Sequence, residues 1–140
     1  MNRRRRTEIL IQDKGNLAEK FAEAILTTYE YREITAPHYG LTMIKVRETA
    51  KNSLFYIGEV LVTEAKMEIN NCIGTGIVAG MEEKLAKQLA LIDAAYKAEL
   101  SETILWESQL IAAECEIRNA KAKEQAELVS TKVNFETMEI

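Results

Sequence analysis

From Met81 to Ile140 the chain contains neither glycine nor proline; all six glycines and the one proline lie at or before Gly80. A stretch free of breakers and rich in Ala, Glu, Lys and Leu favours helix almost throughout. Ser101 is the cap that divides it, so two C-terminal helices are expected. In the first, Leu85, Leu89, Ile92 and Tyr96 form an apolar stripe, and Glu83 and Lys87 are placed for an i,i+4 ion pair. In the second, Trp106, Leu110, Ala113 and Ile117 share one face, with Glu114 and Arg118 paired outside. Its apolar character fades after Ala120.

The first half is organised differently. Arg3 to about Gln12 reads as a short helix, broken by Asp13-Lys14-Gly15. Asn16 with Glu19 has the spacing of a capping box, and Leu17, Phe21 and Ala24 then lie on one helical stripe. That helix should end near Tyr29, ahead of a turn bracketed by Pro37 and Gly40. The period then changes. Leu41–Arg47, Leu54–Ile57 and Glu59–Ile69 are strand candidates; in the last, Leu61, Ala65, Met67 and Ile69 alternate with Glu64, Lys66 and Glu68. Asn70-Asn71 and Gly74-Thr75-Gly76 offer turn chemistry before a short Ile77–Ala79 strand. The expected architecture is one α+β domain over residues 1–140. It has two N-terminal helices, a three- to four-stranded mainly antiparallel sheet, and two C-terminal helices with a docking tail.

Composition narrows the function classes. With 47% hydrophobic and 29% charged residues the chain is neither disordered nor low-complexity. A net charge of −4 gives no general attraction to polyanions. The Arg3–Arg6 run is followed by Thr7-Glu8 and only a three-residue apolar stretch, so it does not open a signal peptide. No segment approaches the length of a membrane span. Two cysteines, Cys72 and Cys115, make no disulfide framework and read as reduced core residues of a cytoplasmic protein.

Chemical motifs are sparse. The run Gly74-Thr75-Gly76-Ile77-Val78-Ala79-Gly80 lacks the Gly-Lys-Ser/Thr of a phosphate loop, and its third glycine falls one place late for dinucleotide binding. A hairpin turn is the simpler reading. His38 has no neighbouring ligand or marked serine, so metal and nucleophile sites lack support. Glu59, Glu64 and Glu68 could pair as acids and bases, but alternating charge on a strand is more simply a solvated face. Asp93 interrupts an apolar stripe and, if buried, needs a partner such as Arg47. Otherwise it reaches a backbone amide or solvent. The arginines of the Arg3–Arg6 run have two roles open to them, an acidic partner or nucleic acid, and no aromatic-interleaved basic stripe supports the second.

The segment Thr131–Met138 regains apolar residues at Val133, Phe135 and Met138 in a strand-like pattern, as expected of a terminus that docks. Trp106, Phe135 and Met138 are the candidate partner-interface residues, with core packing as the other role open to them.

Several stretches in order resemble one family. They are Ala36-Pro37-x-x-Gly40-Leu41, Arg47-Glu48-Thr49-Ala50, Phe55-Tyr56-x-Gly58-Glu59-Val60-Leu61-Val62-Thr63-Glu64-Ala65, Gly74-x-Gly76-x-Val78-x-Gly80, Ile92-Asp93-Ala94 and Thr131-Lys132-Val133-Asn134-Phe135-x-Thr137-Met138. Together they resemble the G subunit of the bacterial carbon–phosphorus lyase system, the PhnG family. The resemblance implies a soluble cytoplasmic core complex with H, I and J subunits, acting in phosphonate catabolism. In that complex a transferase step displaces the adenine of ATP by an alkylphosphonate, giving ribose 1-methylphosphonate 5-triphosphate. It implies no catalytic, cofactor or metal residue in this chain, ATP being a substrate of the complex, and neither nucleic acid nor membrane as partner. The rival readings are an independent binding or regulatory module using Arg3–Arg6, and a small free-standing hydrolase.

Overall fold

The computed structural model describes the backbone of residues 1–138 and the side chains of residues 1–132. Its order is α1 (Arg3–Gln12), α2 (Leu17–Thr28), β1 (Tyr31–Arg47), β2 (Leu54–Ile69), β3 (Cys72–Ala79), α3 (Glu83–Lys97) and α4 (Ser101–Met138). The three strands form an antiparallel sheet in the order β1-β2-β3. The expected α+β architecture is thus observed, with three strands.

Local chemistry explains most of the boundaries. The Asn2 side chain caps α1 by accepting from the Arg5 amide at 2.8 Å. Asn16 does not cap α2: it sits at φ 60°, and the Asp13 carboxylate instead accepts from the Gly15 and Leu17 amides. The capping-box expectation fails because Asn16 takes the left-handed backbone conformation and not the extended one a capping side chain needs. The β2–β3 turn is Asn70-Asn71 alone, with φ 49° and 63°, the left-handed pair that a two-residue hairpin requires. Strand β3 begins directly at Cys72.

Gly74 and Gly76 are therefore strand residues, not turn residues. A Cβ on Gly76 would stand 2.0 Å from the Ala86 carbonyl oxygen, and one on Gly74 2.2 Å from that of Ala90. Helix α3 lays Ala86, Ala90 and Ala94, all buried, on these glycines. Thr63 ties the β3–α3 junction: its hydroxyl donates to Gly80 O at 2.6 Å and accepts from the Glu82 amide at 3.1 Å.

The expected turn between Pro37 and Gly40 is also strand. β1 is an edge, where a missing amide proton costs nothing, and register shifts on either side of Thr35 absorb the proline. Likewise, the segments Leu54–Ile57 and Glu59–Ile69 are one strand, with an irregularity in the ladder at Ile57.

Helices cover one face of β2 and β3. Thr63, Ala65, Met67 and Ile69 point into the core, while Glu64, Lys66 and Glu68 are half-buried on the open face. Ile25 and Leu91 complete the most buried part of the core, and Leu89 and Ile92 carry the expected α3 stripe. Glu83 does not pair with Lys87; it accepts from the Tyr39 hydroxyl at 2.6 Å. On α4, Trp106, Leu110 and Ala113 are buried as expected. Glu114 pairs with Arg118 at 3.2 Å. The strand-like pattern of Thr131–Met138 does not become a strand, because α4 runs unbroken to Met138. At 1.5 Å per residue α4 is about 57 Å long, and its residues from Asn119 to Lys132 are exposed.

Gly76→Ala is expected to lower stability by about 2–3 kcal/mol in urea denaturation, since backbone must move to admit the methyl group. Gly40→Ala and Gly58→Ala, whose surroundings are open, should stay within about 0.5 kcal/mol of the parent.

Candidate functional site

Two places carry the side chains that sequence alone could not assign. The first is centred on Asp93, which is 5% exposed on α3. Its Oδ1 accepts from Arg6 Nη2 at 3.2 Å and lies 3.3 Å from Arg3 Nε. Its Oδ2 accepts from the Thr75 amide at 3.0 Å and lies 3.4 Å from Lys97 Nζ. Arg47, the partner offered by sequence, is at the far end of β1 and donates to Asn52 O instead.

The same cations close the outer edge of β3. Arg3 donates to Thr75 O at 3.1 Å and Lys97 to Ile73 O at 2.9 Å. With the Thr75 amide held by Asp93, this edge has few free groups left for another strand to pair with. Arg6 is buried and stacks 3.8 Å above the Tyr96 ring. Burial pulls its pKa down, against the opposing influence of Tyr96 and Asp93.

A cleft of about 450 Å³ opens beside this cluster, lined in part by Arg3, Arg6, Thr75 and Asp93. Asp93 is held by two hydrogen bonds, from Arg6 and the Thr75 amide, with Arg3 and Lys97 as two further cations beside it, so its carboxylate is engaged in the fold. The cluster joins α1, α3 and β3. The remaining arginines of the run also face acids of this chain: Arg5 forms a bidentate pair with Glu114 at 2.6 Å, and Arg4 lies 3.3 Å from Glu8.

The second place is the distal half of the β1–β2 hairpin. β3 pairs with β2 only over Val62–Ile69, so Leu41–Arg47 and Leu54–Leu61 form a two-stranded ribbon beyond the core. It extends about 25 Å at the usual rise per strand residue. Leu41 (66% exposed), Met43 (57%), Leu54 (57%) and Tyr56 (52%) are among its exposed apolar side chains. A two-stranded hairpin with nothing packed on it is marginal in water. Patches of this kind mark interaction surfaces.

The residues singled out from sequence do not gather at one point. Trp106 is 4% exposed and stacks on Phe21 at a centroid distance of 4.5 Å, which is the core role left open for it. Phe135 and Met138 lie outside the described side chains. Glu68 pairs with Arg32, Glu64 lies 3.9 Å from Lys66, and Glu59 stands across from Met43 on the ribbon. His38 is exposed, with Nδ1 3.1 Å from Ala36 O. Cys115 is exposed and Cys72 half-buried, so neither is the core residue expected: Cys115 lies on the side of α4 away from Trp106, and Cys72 at the end of β3's core face. Sequence placed these residues in strands without separating the part of the sheet that helices cover from the part they leave open. The run of apolar residues on both faces from Leu54 to Ile57 was the available signal.

Asp93→Ala leaves Arg6 buried without its carboxylate and is expected to cost about 3–5 kcal/mol in urea denaturation at pH 7. Asp93→Asn, which keeps an acceptor for the Thr75 amide, should lose less. A pH effect follows from Glu114 and Glu102. The Arg5 hydrogen bonds hold the Glu114 carboxyl below its ordinary 4.5, and the Tyr29 hydroxyl does the same for Glu102. Both folded-state values lie below the unfolded ones, so the stabilisation is present above about pH 4.5 and is lost as pH falls through the lowered values. Glu114→Gln should therefore show a smaller loss of thermal stability than the parent on acidification below that pH.

Among the described residues, no helix is long and apolar enough to cross a membrane. The family model described as phosphonate metabolism protein PhnG matches residues 1–139. That match spans the Asp93 cluster, the ribbon and α4 alike, and the chain belongs to the PhnG family of phosphonate metabolism proteins.

Proposed function

We propose that this chain is an accessory subunit of the carbon–phosphorus lyase core complex, working in the cytoplasm with the H, I and J subunits. In this reading the complex transfers the ribose triphosphate moiety of ATP to an alkylphosphonate, displaces adenine and forms ribose 1-methylphosphonate 5-triphosphate. The observation that carries the reading is the family match over residues 1–139. Two structural features support it. Asp93, the most buried carboxylate among the described residues, is occupied in holding the fold together, and a long apolar ribbon stands uncovered.

The role fitting such a chain is to shape the catalytic neighbour. A subunit that excludes water and orients the acceptor favours transfer to the phosphonate over hydrolysis, without donating a reacting group. The rival binding module would use Arg3–Arg6 on nucleic acid. Against it, Arg3, Arg5 and Arg6 reach Asp93 or Glu114, and Arg4 reaches Glu8.

The test is a reaction of MgATP and methylphosphonate with the I-type subunit, with and without this chain, followed by phosphorus NMR and chromatography of adenine. With the chain present, ribose 1-methylphosphonate 5-triphosphate should form in step with adenine. An I-type subunit that makes the same share of that product alone would refute the accessory role.

A further inference from the structure

We propose that the Leu41–Arg47/Leu54–Leu61 ribbon is a docking arm enclosed on both faces by a cleft in a different protein subunit. The inference rests on the subunit reading above and specifies the surface and manner of the contact.

The pairing register separates two faces. Cross-strand partners share a face, and successive residues alternate. Thr42↔Val60, Ile44↔Gly58 and Val46↔Phe55 therefore lie on one side, which carries no charged residue. Leu41↔Leu61, Met43↔Glu59, Lys45↔Tyr56 and Arg47↔Leu54 lie on the other, where apolar groups are mixed with charge. The uncharged face has the composition of an interface centre, and the mixed face that of a rim.

Area and symmetry identify the occupant. The exposed apolar side chains of the ribbon amount to on the order of 1,000 Å², against about 800 Å² per partner in a standard stable complex. That total is reached only when both faces are covered. A second copy related by a two-fold axis presents the same patch to its mate, so it covers one face and leaves the other in water. A cleft in a larger neighbour covers both and can pair strands with the open edges of β1 and of β2 before Leu61, whose carbonyl accepts from the Gly80 amide. The tip adds a charge requirement. Residues 45–53 at the tip carry Lys45, Arg47 and Lys51 against one acid, Glu48, a local excess of cations on a chain of net charge −4. The floor of the cleft should accordingly be acidic.

The test uses the full chain alone and co-expressed with the H-, I- and J-type subunits, with hydrogen exchange and native mass measurement. Wild type is compared with Val46→Glu/Phe55→Glu, a cross-strand pair outside the core that should leave the melting temperature unchanged. The expected result is a lone monomer whose ribbon amides exchange at least about 100-fold faster than in the complex, and a variant that binds at least about thirtyfold more weakly. Unchanged exchange in the wild-type complex, or full assembly of the variant, overturns the docking arm and leaves the subunit reading standing. A dimer of the lone chain that protects the ribbon overturns it in favour of a second copy. Failure of the wild-type chain to join the other subunits overturns the subunit reading and this inference together.

Discussion

The structure depends on how closely α3 lies on β3. Gly74 and Gly76 leave the middle of the strand's core face without side chains, and Ala86, Ala90 and Ala94 bring the helix backbone almost onto it. Close packing of this kind gathers many weak dispersion contacts and tolerates no added methyl group. It also sets the position of everything α3 carries. The Thr63 hydroxyl bridges Gly80 and Glu82 at the start of the helix, and Ile92 is directed into the core beyond it.

The Asp93 cluster follows from the same approach. Only a helix held this near the strand lets a short aspartate side chain reach the Thr75 amide while also meeting Arg6 from α1. A buried ion pair of this sort adds little net stability, because its desolvation offsets most of its attraction. What it adds here is position. It ties α1 to α3 and β3, and Arg3 and Lys97 cover backbone carbonyls that would otherwise leave β3 open to pairing. The basic run at the start of the chain is thus absorbed by the fold.

The opposite end of the sheet has no such cover. β1 and the first half of β2 run past the last pairing with β3, and the helices do not follow them. The chain therefore combines a tightly closed core with an open apolar ribbon, an arrangement suited to a protein that completes its packing in an assembly.

Sequence alone determined the helical second half, because a breaker-free run with period-3.6 stripes at Leu85–Tyr96 and Trp106–Ile117 has one favourable local answer. The same holds for the alternation of Ala65, Met67 and Ile69, and for the asparagine turn that follows. Tertiary structure decided the roles of groups whose partners are distant along the chain. Gly74 and Gly76 read locally as a turn, yet a helix beginning seven residues later requires them bare. Asp93 could be seen to need a partner, but Arg6 lies 87 residues away, and sequence spacing does not favour it over Arg47. The strand-like tail became helix because its neighbours in α4 continue a hydrogen-bond ladder that a short apolar pattern does not interrupt. Exposure of the ribbon was the least legible feature, since residues that suit a buried sheet equally suit one that awaits its cover.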